Sequence, residues 1–206
     1  MKLFKSFIRN ASKPGNTFYG RLMLSGMNRG HNPMAVWCID KYIKPHDQED
    51  ILDIGCGGGQ NIANYLKRTQ GKVCGIDYSS TSVEVSLRKN KRAVATKRAE
   101  IKEASVTSIP YSDAHFDVVS AFETIYFWPD IIACFREVKR VLKPGGRFVV
   151  CNEASRLEGN ELWTKYLDMN IYSAEEIARF MKQAGFERVD THLFGKSQRI
   201  CVLGYL

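Results

Sequence analysis

A glycine-rich turn between two aspartates carries the most legible chemistry in this chain. Gly55, Gly57 and Gly59 alternate at the end of a short apolar run, and Asp53 stands just inside that run. Glycines adopt positive φ and let the backbone approach a ligand closely, while a helix opening behind them offers unpaired N–H groups. The dinucleotide fingerprint G-x-G-x-x-G would put its third glycine where Gln60 stands. Asp77 closes a second apolar run eighteen residues beyond Gly59. A carboxylate at a strand end is a pair of acceptors on one rigid mount, which is what a ribose diol requires. The competing role for Asp77 is a helix cap ahead of Ser79–Ser82. Taken with the turn, its placement points to ribose binding.

Such residues work together only if the strands that carry them end at a common edge. The apolar pattern predicts strands at Asp50–Ile54, Lys72–Asp77, Arg98–Val106, Phe116–Phe122 and Arg147–Asn152. Between them it predicts helices at Asn61–Arg68, Ser82–Ala95 and Ile131–Leu142, after an earlier helix from Met34 to Tyr42 that stops before Pro45. A capping box, Ser173-Ala174-Glu175-Glu176, opens a further helix that Gly185 ends. Arg188–Phe194 and Arg199–Tyr205 close the chain as strands. Alternating strands and helices give a parallel sheet with helices on both faces, whose ligand edge is the carboxyl end of the strands. The turn at Gly195-Lys196 is too short for a crossover, so the last pair is an antiparallel hairpin.

The 206 residues are 44% hydrophobic and 25% charged, enough for a sizeable core without staples. Eleven Phe, nine Tyr and three Trp exclude a disordered chain. The cysteines are scattered with no C-x-x-C pair, so neither a metal finger nor a disulfide framework is expected, and a reduced cytoplasmic protein is. No apolar run approaches the ~20 residues that span a bilayer, and MKLFKSFIRN breaks its apolar stretch too early for a signal peptide. The net charge of +8 permits an anionic partner without demonstrating one. Part of it lies in residues 1–34, which carry Lys2, Lys5, Arg9, Lys13, Arg21 and Arg29 and no acid. Another part is the run Arg88, Lys89, Lys91, Arg92, Lys97 and Arg98, read as a solvated helix face.

Four segments in order resemble the class I S-adenosylmethionine-dependent methyltransferases, in their small single-domain form. They are Ile51–Gly59, Gly75–Ser79, Ile109–Asp117 and Val141–Gly146, and with their spacing the resemblance covers roughly Asp50 to Gly185. It implies a Rossmann-like seven-stranded α/β sheet in the order 3-2-1-4-5-7-6, mostly parallel with an antiparallel last strand. It implies one methyltransferase domain over residues 1–206, with residues 1–45 as a helical lid segment and 50–206 as the cofactor-binding core. S-adenosylmethionine would be the cofactor. Gly55, Cys56, Gly57 and Gly59 would cradle its methionine moiety, and Asp53 would help hold the amino group. Asp77 would take the ribose hydroxyls and Tyr78 the adenine. Ser105, where the family often has an acid, and the Val106 backbone would also contact adenine.

Methyl transfer asks mainly for in-line placement of the acceptor, and a base only where the acceptor carries a proton. Residues after the fourth strand would face the methyl group: Phe122, Glu123, Thr124, Tyr126 and Trp128, with Glu123 and Tyr126 as catalytic candidates. Against Glu123 stands the role of a helix-start or solvent carboxylate. His31, in the lid segment, is a second candidate proton acceptor, against a loop histidine bonded to backbone. His46, His115 and His192 are not placed for chemistry, and Cys56 reads as a small filler rather than a nucleophile. The expected substrate is a small molecule, with Trp163, Tyr166, Leu167 and Met169 as a possible apolar cap; the fourth-strand end lacks the Asn/Asp-Pro-Pro-Tyr/Phe of base methylation. An RNA methyltransferase using the basic surface and a non-catalytic cofactor-binding module are the alternatives. A nicotinamide oxidoreductase is opposed by Gln60 and the closing hairpin.

Overall fold

The computed structural model describes residues 18–206 apart from 168 and 196. The basic and aromatic residues of positions 1–17 therefore lie outside the described residues. Seven strands form a single sheet in the order β3-β2-β1-β4-β5-β7-β6. They are β1 Ile51–Ile54, β2 Val73–Asp77, β3 Ala99–Glu103, β4 Phe116–Phe122, β5 Leu142–Asn152, β6 Arg188–Leu193 and β7 Ile200–Tyr205. The strands from β3 to β5 pair in parallel, and β7 runs antiparallel to both β5 and β6. This is the topology the motifs implied. β1 and β2 are buried at every position, as central parallel strands covered on both faces must be.

The helices are α1 Phe18–Cys38, α2 Gln60–Tyr65, α3 Ser80–Lys89, α4 Lys91–Ala95, α5 Ile131–Val141, α6 Glu161–Tyr166 and α7 Ala174–Ala184. On one face, α5 and α7 bury Phe135, Val138, Ile177 and Met181 against the sheet. On the other, α1 contributes Met34, Ala35 and Cys38 and α2 contributes Ile62 and Tyr65. The capping box at Ser173 and Glu176 is formed, and Gly185 ends α7 at φ 93°.

Several expected boundaries move. The amino-terminal helix begins at Phe18, not Met34, and runs through Pro33. Burial of Met34, Ala35 and Cys38 on the sheet compensates the backbone hydrogen bond that proline cannot donate. It continues as a π-helical turn over Ile39–Ile43, closed by Lys44 N–H donating to Ile39 O at 2.8 Å, just before Pro45. The expected helix over Ser82–Ala95 is broken at Asn90, and its two pieces are α3 and α4. The third strand stops at Glu103 rather than Val106, because the chain turns back with Ser108 N–H on Ser105 O. The fifth strand starts at Leu142, which pairs with Phe116, and Lys143–Gly146 form an irregularity in the ladder before pairing resumes at Arg147 opposite Val118.

One ion pair ties the segment after α1 to the sheet. Arg147 on β5 grips both oxygens of Glu49 at 2.7 and 2.8 Å and also donates to Ile43 O at 2.8 Å. Both side chains are mostly buried, and the guanidinium holds the Glu49 carboxyl below its ordinary range despite burial, which pushes the other way. Removing one partner leaves a buried charge unpaired. Arg147→Met is therefore expected to lose about 3 kcal/mol of unfolding free energy in urea denaturation, and Glu49→Leu added to it to recover part of the loss.

Candidate active site

The turn after β1 is built around what glycine permits. Gly55 and Gly59 sit at φ 70° and 74°. A Cβ on Gly55 would lie 2.3 Å from Thr124 Oγ1, and one on Gly59 would lie 2.2 Å from Ser86 Oγ. Asn90, at the break between α3 and α4, donates its amide to Gly59 O at 3.0 Å and holds the turn down.

Asp77 locks the same turn from the end of β2. Its Oδ2 accepts from Gly57 N–H and its Oδ1 from Ser79 N–H, both at 2.9 Å. Each oxygen thereby keeps acceptor capacity, and together they present two acceptors in one plane. Ser79, not Asp77, caps α3, accepting from Ser82 N–H. Burial raises the Asp77 pKa, opposed by those backbone donors.

Asp53 lies behind the turn, 1% exposed. Its Oδ1 accepts from Ser120 Oγ at 2.9 Å, while Oδ2 and the buried Tyr65 hydroxyl find no partner among the described residues. Desolvation, aided by the charge of Asp77, lifts the Asp53 pKa to about 7. Tyr78 is 41% exposed beside Asp77. Ser105 is exposed and accepts from Thr107 N–H, while Val106 is buried in the core. Cys56 is buried with its thiol pushed up by burial, consistent with a filler.

A second group of side chains gathers at the carboxyl edge beside the turn. Glu123 follows β4 at φ 57°, a left-handed conformation rare for a side-chain-bearing residue. Its Oε1 accepts from the Glu153 N–H and from Tyr126 Oη. Thr124, not Glu123, precedes the short 3-10 turn Ile125–Phe127, and the Glu123 carboxylate is mostly buried, which pushes its pKa up to about 7. His31, projecting from α1, places Nδ1 3.1 Å from Glu153 Oε2 and 3.9 Å from Glu123 Oε2. It is no loop histidine: α1 carries it over the site, anchored by Asn64 donating to Asn32 at 2.9 Å. The three residues offer donor atoms within 4.8 Å of one another.

Phe122 and Trp128, expected beside the methyl group, are both buried, Trp128 against Phe135 and Phe148. Thr124 accepts from the Trp128 indole at 3.3 Å. Tyr126 is buried and its hydroxyl bonds Ala154 backbone and Glu123, so it pins the chain after β5. His192 stacks on Tyr42, and His115 bonds Ser112 at the far end of β4. Leu167 is buried, and Asn170 N–H bonds Tyr126 O at 2.9 Å, drawing the segment between β5 and α7 to the site. In the basic run, Arg88 pairs with Glu84 and Arg98 donates to the Thr69 and Gly71 carbonyls.

Two members of the group were missed in the sequence, Glu153 and Arg199. Glu153 follows β5 and was open to detection, since every parallel strand delivers its carboxyl end to this edge. Arg199 precedes β7 and pairs with Glu153 at 3.2 Å. It reaches the edge because β7 is antiparallel, which puts the start of that strand where the others end.

A model of the methyltransferase domain matches residues 52–150. The O-methyltransferase cnsE of Penicillium expansum is 28% identical over 153 residues, which is 72% of this chain and 55% of that protein. The 27-O-demethylrifamycin SV methyltransferase of Amycolatopsis mediterranei is 30% identical over 145 residues, 66% of this chain and 53% of its own length. The chain thus spans about half the length of these curated relatives. A solved SAM-dependent methyltransferase from Aquifex aeolicus shares the fold with a TM-score of 0.73 at 20% identity, over 88% of this chain and 96% of that one. Residues 52–150 thus match the methyltransferase domain, and the chain has the fold of a SAM-dependent methyltransferase.

The residues of this methyltransferase domain fit the cofactor. Asp77 has acceptor capacity to spare for a diol, and the unpartnered oxygen of Asp53 marks a negative centre behind the turn. A cationic amino group nearby favours the ionised form of Asp53, so binding below its raised pKa must release a proton. S-adenosylmethionine is expected to raise the melting temperature, and Asp77→Ala to abolish the rise. Titration calorimetry is expected to show affinity falling as the pH drops below about 7. Asp53→Asn is expected to flatten that part of the profile; a profile unchanged in the variant rules the coupling out.

Proposed function

We propose that this chain transfers a methyl group from S-adenosylmethionine to a hydroxyl of a small molecule. The observation that carries the reading is His31, held by α1 beside Glu123 at the carboxyl edge. A hydroxyl acceptor at neutral pH must lose its proton as the new bond forms, and a nearby imidazole is suited to take it. The names of the relatives, an O-methyltransferase and a 27-O-demethylrifamycin SV methyltransferase, agree with oxygen as the acceptor atom.

In this reading Gly55, Cys56, Gly57 and Gly59 cradle the methionine end, with Asp53 supplying negative charge behind it. Asp77 accepts both ribose hydroxyls, Tyr78 lies against the adenine, and Ser105 with the Val106 backbone borders it. When bound, the cofactor supplies an electrophilic methyl on a positively charged sulfur. The chain's own part is placement and proton removal. Glu123, fixed by Tyr126 and the Glu153 amide, orients the acceptor, and His31 takes the hydroxyl proton at Nε2 and releases it to water. No helix among the described residues is long and apolar enough to cross a membrane. The six cysteines are free and buried, which suits a reducing compartment such as the cytoplasm.

Labelled methyl transfer tests the proposal against extract fractions rich in hydroxylated small molecules. His31→Ala is expected to lower the rate about 10²–10⁴-fold while leaving the S-adenosylhomocysteine melting shift intact. The carboxylates around His31 raise its pKa against the opposing effect of burial, so activity should rise with pH through a value above 6.5. Tight cofactor binding without transfer to any acceptor favours a non-catalytic module, and transfer to RNA with a steep salt dependence favours the nucleic-acid reading.

A further inference from the structure

Beyond His31 itself, the carboxyl edge holds a chain of charges that the motifs do not contain. Arg199 pairs with Glu153 Oε1 at 3.2 Å, and Glu153 Oε2 meets His31 Nδ1 at 3.1 Å. The Glu153 amide donates to Glu123 Oε1, while Glu123 Oε2 faces the same Nδ1 from 3.9 Å. The four residues come from four places in the chain: the lid helix, the ends of β4 and β5, and the start of β7. We propose that Glu153 and Arg199 are positioning residues that set the tautomer and the basicity of His31. This rests on the reading of His31 as the proton acceptor.

The argument is one of donors and acceptors. His31 and Arg199 together hold the Glu153 carboxyl below its ordinary range, so it is ionised and can only accept. Nδ1 must therefore carry the proton, and in the neutral ring Nε2 is left as the basic nitrogen. No partner for Nε2 appears among the described residues. Arg199 acts in the opposite sense on basicity. Two carboxylates facing one imidazole would hold it as a cation, unable to accept a proton; a guanidinium on Glu153 offsets part of that field. Glu123, Glu153 and Arg199 are the charged groups that face His31 among the described residues.

A divalent ion is the other cation that His31, Glu123 and Glu153 could share, since their donor atoms lie within 4.8 Å of one another. Two features disfavour it. Arg199 already places a positive charge on Glu153, and Glu123 Oε1 is committed to the Glu153 amide and to Tyr126.

Histidine-selective ¹⁵N NMR on the S-adenosylhomocysteine complex tests this without any acceptor. The His31 signal is assigned by its loss in His31→Ala. In the wild type, neutral His31 is expected as the Nδ1–H tautomer with a pKa above that of a free histidine. Glu153→Gln is expected to lower that pKa by about one unit and to shift the neutral ring toward the Nε2–H form. Arg199→Leu is expected to move the pKa up and leave the tautomer unchanged, and it serves alone if Glu153→Gln does not fold. A residue that merely supports the fold would move neither quantity. An unchanged tautomer in Glu153→Gln, or an unchanged pKa in Arg199→Leu, overturns the proposal. So does selective broadening of the wild-type His31 signal by micromolar Mn²⁺ that Glu123→Gln removes, since that makes the trio a metal site. If all the NMR expectations hold but no hydroxyl acceptor is methylated, the function proposed for His31 fails while the positioning network stands.

Discussion

The carboxylate of Asp77 is the interaction on which the cofactor edge depends. It joins the glycine turn after β1 to the start of α3 by accepting one backbone N–H from each. Those two loops come from different strand–helix units, which Gly55 N–H also joins by donating to Ile76 O at 2.8 Å. Backbone N–H groups at such an edge would otherwise be left pointing into a cleft with no acceptor. By satisfying one from each side, the carboxylate holds the loops at a fixed separation and stays ionisable, with acceptor capacity remaining. The same group therefore shapes the cleft and presents the hydrogen-bond pattern that a ribose recognises.

Around that anchor, the site is organised by how much charge each position must bear out of water. Asp53 is sealed behind the turn and is pushed to about 7 by desolvation, whereas Glu153, paired with His31 and Arg199, is held low. Glu123 resembles Asp53: burial pushes it up to about 7 against the opposing charge of His31 and the backbone and tyrosine donors. Glu123 and Glu153, which both face His31, thus occupy different protonation regimes at neutral pH. α1 supplies the histidine, and the Arg147–Glu49 pair fixes the chain that follows it to β5. The placement of His31 is therefore coupled to the sheet rather than left to a loose segment.

Most of the architecture was legible in the residues because it is local. The ILDI and VCGID runs are buried at all positions, the Ser173–Glu176 cap forms as spaced, and the Gly195 turn forces a hairpin. Where local pattern misled, a tertiary contact had overridden it. Pro33 reads as a break, yet burial of the residues around it carries the helix through. Asn90 interrupts a continuous helical pattern because its side chain is needed on the Gly59 carbonyl. Trp128, placed beside the site by its position after β4, stacks over Phe148 in the core.

By itself, the sequence determined the alternation of strands and helices, the closing hairpin and the glycine turn, while the order of the strands came only as what its resemblance to a known family implied. The first three follow from periodicity, turn length and glycine spacing, each read within a few residues. Only the tertiary structure decided which side chains gather at the carboxyl edge beside the turn. His31, Glu123, Glu153 and Arg199 are spread from α1 to the last strand, and no spacing links them. They meet because α1 folds across the carboxyl edge and because β7 runs against its neighbours, bringing the start of one strand to the end of others. Strand direction and helix docking arise from burying both faces of the whole sheet at once, a global constraint that no local run of residues encodes.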